Sequence, residues 1–143
     1  MQLLRVTLQV LVHHSNRLSD RRNFRGKTKT ISTGLTLHEK DGEVTANTDN
    51  GWVSYWQPHG DSELGTAIVS SKHYFSNFEK FNVEEEDLSN AYAHLKVVDN
   101  KTTYYAGFTW KESKQFVNKQ EWENYINDFS KKINNPLTIV LVN

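Results

Sequence analysis

One stretch of the sequence has the spacing of an amphipathic helix, and it lies near the carboxyl-terminal end. Its apolar face consists of five large residues at helical spacing: Trp122, Tyr125, Ile126, Phe129 and Ile133. Asn118 is a good capping residue, and Glu121 completes a capping-box pattern. Pro136 follows the pattern and cannot continue a helix. A helix with a single apolar face must pack against another layer, which the rest of the chain has to supply.

The remaining chain is divided into short segments with the alternation of β-strands, separated by turn residues such as Gly, Asp and Asn. The predicted strands cover residues 4–12, 27–37, 51–57, 64–70, 91–98, 102–110 and 137–142. Residues 99–101 form a tight connection that predicts a hairpin of the two strands around it. The predicted fold is therefore mainly β: an antiparallel β-sandwich with one amphipathic carboxyl-terminal helix packed over a sheet.

Composition and charge exclude several classes of function. The chain lacks cysteine, which removes disulfides, thiol nucleophiles and thiolate metal sites. No apolar run approaches the roughly 18 residues that a transmembrane helix needs, so we expect no membrane partner. Residues 1–30 carry a net charge of +6 and residues 31–143 carry −6. A basic arm for nucleic acid would have such a charge, but no recognised nucleic-acid motif follows it, so we expect no nucleic-acid partner.

The common catalytic and metal-binding motifs are absent from the sequence. It has no His-Glu-x-x-His, no phosphate-binding glycine loop and no Gly-x-Ser-x-Gly nucleophile elbow. Residues 47–51 resemble part of a calcium loop, but the glutamate that such a loop needs further on is missing. The sequence therefore predicts neither a metal site nor a cofactor.

The densest cluster of candidate binding residues lies at 51–61. Trp52 and Trp56 fall on one face of the predicted strand, with Ser54 between them. Indole rings offer flat apolar surfaces on which sugar rings can stack, and the flanking His59 can hydrogen-bond hydroxyl groups. The alternative is that both tryptophans belong to the core of the sandwich.

Histidines are the candidate acid–base groups, because imidazole titrates near neutral pH. His38 follows the end of a predicted strand, and His94 shares a polar strand face with Tyr92 and Lys96. Each can also be an ordinary surface histidine. The predicted site is one sugar-facing groove with two catalytic residues, His38 and His94, and three substrate-binding residues, Trp52, Trp56 and His59. The acidic run at 84–87 is interpreted as a solvated surface.

Three segments together resemble a bacterial family known as domain of unknown function 4861, which is associated with polysaccharide degradation. The first is Thr33-Gly34-Leu35-Thr36-Leu37-His38, and the second is Gly51-Trp52-Val53-Ser54-Tyr55-Trp56-Gln57-Pro58. The third runs from Tyr104-Tyr105-Ala106-Gly107-Phe108-Thr109-Trp110 through Glu121-Trp122 to Asn135-Pro136-Leu137. The resemblance covers roughly residues 27–143 and is closest to the carboxyl-terminal part of the family.

The resemblance implies a sandwich of the galactose-mutarotase type, of which residues 27–143 would be the carboxyl-terminal part. Members are longer and commonly begin with an export signal, which implies a periplasmic or secreted full-length protein. Residues 1–12 are not expected to be a signal peptide, because Arg5 interrupts the apolar stretch. The basic residues 1–26 match poorly and are expected to pack poorly, and the strand that begins there needs neighbours to pair with.

The function that the residues and the resemblance predict is a carbohydrate-active protein of polysaccharide degradation, acting on or binding uronic-acid-rich plant or algal glycans. The alternative is a non-catalytic carbohydrate-binding or structural β-domain. Fold analogy alone does not decide between an enzyme and a binding domain.

Overall fold

The structure, a computed structural model, describes residues 4–9, 28–85 and 87–137, and for residues 4–9 it describes the backbone alone. The strands are β1 (Leu4–Gln9), β2 (Thr30–Thr36), β3 (Glu43–Asn47), β4 (Trp52–His59), β5 (Ser62–Val69), β6 (Phe75–Phe81), β7 (Asn90–Lys96) and β8 (Lys101–Trp110). A short 3-10 helix (Lys111–Ser113) leads to the one α-helix of the described chain, α1 (Lys119–Asn134).

The strands form two antiparallel sheets. The five-stranded sheet has the order β1-β8-β5-β4-β3, and the three-stranded sheet has the order β2-β7-β6. The three-stranded sheet lies against one face of the five-stranded sheet, through contacts of β2 with β5 and of β7 with β4. Helix α1 contacts β4 and β5. The predicted mainly β fold, with two antiparallel layers and one carboxyl-terminal helix, is confirmed.

The described chain has one hydrophobic core between the two sheets and another beneath α1. Strand β4 contributes side chains to both, because its residues alternate between the two faces of the sheet. Val53 and Tyr55 face the three-stranded sheet, whereas Trp52 and Trp56 face α1. The core between the sheets also contains Leu37, Ile68, Phe75, Ala91, Ala93 and Leu95. The core beneath the helix also contains Ala67, Val69, Trp122 and Ile126. The division of faces predicted for residues 51–57 is therefore correct.

Helix α1 begins where its capping pattern predicts. The Asn118 side-chain oxygen accepts a hydrogen bond from the Glu121 N–H at 2.9 Å, and the Glu121 carboxylate accepts one from the Val117 N–H at 3.2 Å. Trp122 is fully buried against the sheet, and its indole N–H donates to Ser54 Oγ at 3.1 Å. Gly65 leaves room beneath the helix, because a Cβ there would lie 2.7 Å from the Trp56 ring. The position of the helix is thus determined by the close approach at Gly65 as well as by the burial of apolar side chains.

The predicted hairpin of residues 91–98 and 102–110 is wrong. Asp99 and Asn100 do form a tight turn with left-handed backbone angles, and two backbone hydrogen bonds join Val98 and Lys101. Pairing stops at that single bridge. Strand β7 then belongs to the three-stranded sheet and β8 to the five-stranded sheet, so the turn carries the chain from one layer to the other.

The first described strand has a partner within this chain. Strand β1 pairs with β8 from Leu4 opposite Ala106 to Gln9 opposite Lys101. The predicted strand is confirmed for residues 4–9, and β8 supplies the neighbour that it needs. The rest of that prediction, the packing of the basic residues 10–26 and the predicted strand after Leu137 lie outside the described residues.

Candidate functional site

A cleft of about 440 Å³ lies at one end of the sandwich, and we call it the sheet-end cleft. One wall comes from the turn that follows β2, and the other comes from the end of β4 and its connection to β5. The lining residues are His38, Glu39, Asp41, Gln57, Pro58, His59, Gly60 and Leu64. Its volume is in the range of pockets that hold small ligands, and its lining mixes charged, amide and apolar groups.

The turn after β2 has an unusual backbone. His38 has φ 28° and Lys40 has φ 60°, although neither is glycine. Such residues cost of order 1–3 kcal/mol each and persist where neighbouring contacts hold them. The Lys40 N–H donates to the Leu37 carbonyl at 2.6 Å, and the Lys40 ammonium donates to the Val83 carbonyl at 2.6 Å. These contacts fix the turn on which His38 stands.

Tyr55 supports the same turn from inside the core. Its buried hydroxyl accepts a hydrogen bond from the Gly42 N–H and donates one to the Leu37 carbonyl, both at 3.2 Å. Burial raises the pKa of the Tyr55 phenol, the Gly42 hydrogen bond opposes that shift, and the Asp41 charge adds to it. The phenol therefore stays neutral and keeps both contacts at physiological pH.

His38 forms a close pair with Asp87. The distance between His38 Nδ1 and Asp87 Oδ1 is 2.7 Å, and the two side chains are 56% and 60% exposed. When Nδ1–H donates to the carboxylate, Nε2 is left as a proton acceptor. A carboxylate that fixes the tautomer of an imidazole in this way is a recurring feature of general acid–base sites. Asp87 also has a left-handed backbone, with φ 60°.

Asp87 was not predicted as a site residue, because in the sequence it belongs to an acidic run typical of a solvated surface. Glu84 and Glu85 do lie on the surface, but the Asp87 side chain turns to a histidine 49 positions away. No local pattern contains that pairing. The backbone turn at Asp87 and the turn at His38 bring the two groups together.

His59 also borders the sheet-end cleft, on a strand that runs two residues beyond its predicted end. It is the last residue of β4, next to the two-residue turn to β5, in which Gly60 has φ 59°. His38 and His59 line the same cleft, so the structure brings these two predicted site residues together. Gln57, which is buried, adds an amide to the wall between them.

The two predicted stacking tryptophans are core residues. Trp52 is 5% exposed and Trp56 is 7% exposed, and both pack in the core beneath α1. The Trp52 indole N–H donates to Asn127 Oδ1 at 3.3 Å, and the Trp56 indole N–H donates to Glu63 Oε1 at 3.1 Å. Their rings face the helix rather than the cleft. Both tryptophans therefore have the core role that was the alternative prediction.

His94 does not reach the sheet-end cleft. It lies on the outer face of the three-stranded sheet, with Nδ1 at 2.7 Å from Ser32 Oγ and Nε2 at 3.3 Å from the Glu79 carboxylate. Both ring nitrogens are thus engaged by neighbours on that face. The structure does not bring His94 to His38, and Asp87 is the residue that pairs with His38 instead.

Within residues 28–85 and 87–137, no group of three or more His, Asp or Glu side chains could hold a metal ion. In the same part of the chain, α1 is neither long nor apolar enough to span a membrane.

Fold and site together define a β-sandwich domain with a carboxylate-paired histidine at the end of its sheets. The family described as domain of unknown function (DUF4861) matches residues 5–139. The chain therefore belongs to this family. The match begins at residue 5, so it includes most of the basic opening that the resemblance had left out.

One relative is 51% identical over 113 residues, the Uncharacterized protein P7 of Formosa agariphila. The matched region is 78% of this chain and 29% of the relative, so the chain spans less than a third of that protein's length. No solved structure matches the chain. The galactose-mutarotase type of sandwich remains a prediction.

Proposed function

We propose that the chain is a carbohydrate-active protein of polysaccharide degradation, with a sugar unit bound in the sheet-end cleft and His38 as its acid–base group. The observation that carries the proposal is the 2.7 Å contact between His38 and Asp87 at a cleft of about 440 Å³. An oriented imidazole beside a pocket of this size is the combination that proton transfer to a small polar substrate requires.

The chemistry of the lining suits a sugar. Glu39 and Asp41 accept hydrogen bonds from hydroxyl groups, and the Gln57 amide both donates and accepts. Pro58 and Leu64 give the apolar contact that the C–H faces of a sugar ring need. Ligand pockets typically combine an apolar surface with a few placed polar groups in this way.

The proposed chemistry is proton transfer by His38. With Nδ1–H held by Asp87, Nε2 can take a proton from the substrate, and the Asp87 carboxylate stabilises the imidazolium that forms. In a lyase acting on a uronic acid, this base removes the proton from the carbon beside the carboxylate, the C–H electron pair forms the double bond to the neighbouring carbon, and the glycosidic oxygen leaves with a proton from the imidazolium. In an epimerase, the carbanion instead takes back a proton from water on the opposite face. The uronate carboxylate would lie next to His59, because Glu39 and Asp41 would repel it.

One observation favours the second candidate, carbohydrate binding without catalysis. His38 and Asp87 are both more than half exposed in the described chain. Water therefore competes for their hydrogen bonds, and the dry surroundings that strengthen catalytic electrostatics are not provided by the described residues. Binding through the same lining does not need that enclosure.

The test measures binding and turnover separately, with uronic-acid-rich and matched neutral oligosaccharides. Binding is followed by calorimetry. Turnover is followed by the ultraviolet absorbance of unsaturated products, by the release of reducing ends and, for epimerisation, by proton NMR of the uronate configuration. If the chain is an enzyme, His38→Gln lowers kcat at least about 100-fold with little change in affinity. Asp87→Asn gives a smaller loss.

The matched control is Glu85→Gln, which removes an exposed carboxylate of the same acidic run. It should leave both quantities unchanged. Binding without turnover in the unmodified chain would select the second candidate. Binding of no oligosaccharide at all would refute both.

A further inference from the structure

The outer face of the three-stranded sheet carries three neighbouring rings, of which that of Phe81 is exposed and those of Tyr92 and His94 are half-buried. The centroids of Phe81 and Tyr92 lie 6.4 Å apart, and those of Tyr92 and His94 also lie 6.4 Å apart. The planes of the Tyr92 and His94 rings differ by 29°. We call these three residues the aromatic strip. Tyr92 and His94 stand two positions apart on β7, so their rings line one face of that strand, and Phe81 comes from the neighbouring strand β6.

Tyr92 lies flat on the sheet because glycine stands beneath it. A Cβ at Gly34 would lie 3.0 Å from two carbons of the Tyr92 ring. One face of the ring thus rests on the β2 backbone, which directs the other face outward. Phe81, at the end of the strip, is 43% exposed. Exposing apolar rings to water costs free energy, so a group of such rings at a protein surface is typical of a binding surface.

Polar groups held in place border the rings. Ser32 and Glu79 hold the two nitrogens of His94. Asn90 accepts a hydrogen bond from Thr36 and donates one to the Leu88 carbonyl. The Glu79 carboxylate and the Asn90 amide have more hydrogen-bonding positions than these contacts use. Polar groups that are already ordered lose little entropy when a ligand binds.

The strip leads toward the sheet-end cleft. Asn90 pairs with Thr36 in the register of β2 and β7, and Phe81 pairs with Asn90 in the register of β6 and β7. The chain continues from Thr36 through Leu37 to His38. Asp87 lies three residues before Asn90. The Phe81 end of the strip is therefore the end of the sheet at which the His38–Asp87 pair lies.

We propose that the aromatic strip binds the sugar units of an extended glycan whose end occupies the sheet-end cleft. Flat rings bordered by fixed hydrogen-bonding groups match the two surfaces of a sugar, its apolar C–H faces and its hydroxyl rim. An apolar protein partner would not use those polar groups. The inference rests on the proposed function for its substrate class and adds the residues that contact the polymer.

The experiment compares oligosaccharides of increasing length from one uronic-acid-rich glycan, with affinity measured by calorimetry. In the unmodified chain, long oligosaccharides should bind about tenfold or more tightly than the disaccharide, because they reach the rings of the strip. The double variant Phe81→Ala/Tyr92→Ala should remove that gain and keep disaccharide binding. Phe108→Ala is the matched control, since Phe108 is 64% exposed on the other sheet. Phe108→Ala should keep the tighter binding of long oligosaccharides.

A second variant guards against misfolding of the double variant. Gly34→Ala should lift the Tyr92 ring and reduce the same gain, without removing an aromatic side chain. A length dependence that survives both the double variant and Gly34→Ala overturns the proposal. Equal losses in the double variant and in Phe108→Ala also overturn it. Sedimentation tests the alternative that this face binds a second copy of the chain. A dimer mass that falls to the monomer mass in the double variant would overturn the glycan proposal in favour of that alternative.

The outcomes separate this proposal from the proposed function. Loss of turnover in His38→Gln with an unchanged length dependence supports both. Length-dependent binding that the double variant abolishes, without turnover in any form, supports the strip and refutes the enzyme. Disaccharide binding with no dependence on length supports the cleft and refutes the strip.

Discussion

The molecule has two groups of aromatic residues, and their surroundings differ. Trp52, Trp56 and Trp122, the tryptophan layer, are buried between the five-stranded sheet and α1. Phe81 and Tyr92 lie on the outer face of the three-stranded sheet, which no described helix covers. The indole N–H groups of the layer all have protein acceptors. The difference shows that coverage by another layer, rather than aromatic content, separates a core from a candidate binding face.

Both groups use a glycine in the same way. Gly65 makes room for the rings of Trp56 and Trp122, and Gly34 makes room for the ring of Tyr92. In each case a flat ring lies on the backbone of a neighbouring strand. In the tryptophan layer, the helix then closes over the rings. On the three-stranded sheet, the second face of the Tyr92 ring is left toward solvent.

The largest expected difference between the two groups is in stability. Trp122→Ala removes a fully buried side chain and should lower the free energy of unfolding by about 3–5 kcal/mol. Tyr92→Ala should cost about 1 kcal/mol or less, because its ring is only partly buried. Denaturant unfolding of both variants measures the contrast. Equal costs would mean that the strip is as much a core as the tryptophan layer.

A smaller effect is expected at Tyr55, the buried tyrosine beneath the cleft. Tyr55→Phe leaves the Gly42 N–H and the Leu37 carbonyl without the phenol and should cost about 1–3 kcal/mol. The same change releases the turn that carries His38, so affinity for the disaccharide should fall with stability. Tyr92→Phe is the matched control and should change neither. An unchanged affinity in Tyr55→Phe would show that the turn is held by its other contacts.

The pH dependence of Tyr55 has a defined sign. Because burial raises its pKa above the ordinary 10.0, the phenol ionises more readily in the unfolded chain. Its contribution to stability is present below pH 10 and is lost as the pH rises through the raised value. Unfolding measured in alkaline buffers should show this loss in the unmodified chain and a weaker loss in Tyr55→Phe. The same dependence in both would assign it to other groups.

The smallest effect is expected at the edge of the tryptophan layer. Hydrogen bonds from Lys111 and then from the Trp56 indole lower the pKa of Glu63 below its ordinary 4.5, against the effect of burial. A lowered pKa stabilises the fold above pH 4.5 and ceases to do so as the pH falls through the folded value. Glu63→Gln should flatten this acid-side loss, by less than about 1 kcal/mol because the carboxylate is partly exposed. An unchanged acid-side slope would contradict the assignment.

Local patterns predicted the parts of the fold that depend on near neighbours. The spacing from Trp122 to Ile133 and the cap at Asn118 fixed the helix, and alternation fixed the two faces of β4. Strands β3 and β6 were not predicted. Strand β3 lies in a segment rich in turn residues, and β6 is mostly exposed at the edge of its sheet, so neither has a clear buried alternation. The false hairpin shows that a correct turn does not decide which sheet receives each strand.

The candidate site was predictable only in part, for the same reason. His38 and His59 each follow or end a strand, and strands of similar length bring such residues to one end of a sandwich. The pairing of His38 with Asp87 spans 49 positions and depends on two left-handed backbone turns. The burial of Trp52 and Trp56 depends on where α1 packs. Neither fact is contained in a local pattern.

The most direct test of the account is an amide NMR titration of the whole chain with a long uronic-acid-rich oligosaccharide. The account predicts shifts at the backbone amides of residues 38–41, 59–60 and 90–94, around the sheet-end cleft and the aromatic strip. The indole N–H signals of Trp52, Trp56 and Trp122 should stay in place, because helix α1 and the sheet enclose them. Shifts confined to those indole signals, with the cleft and the strip unmoved, would contradict it.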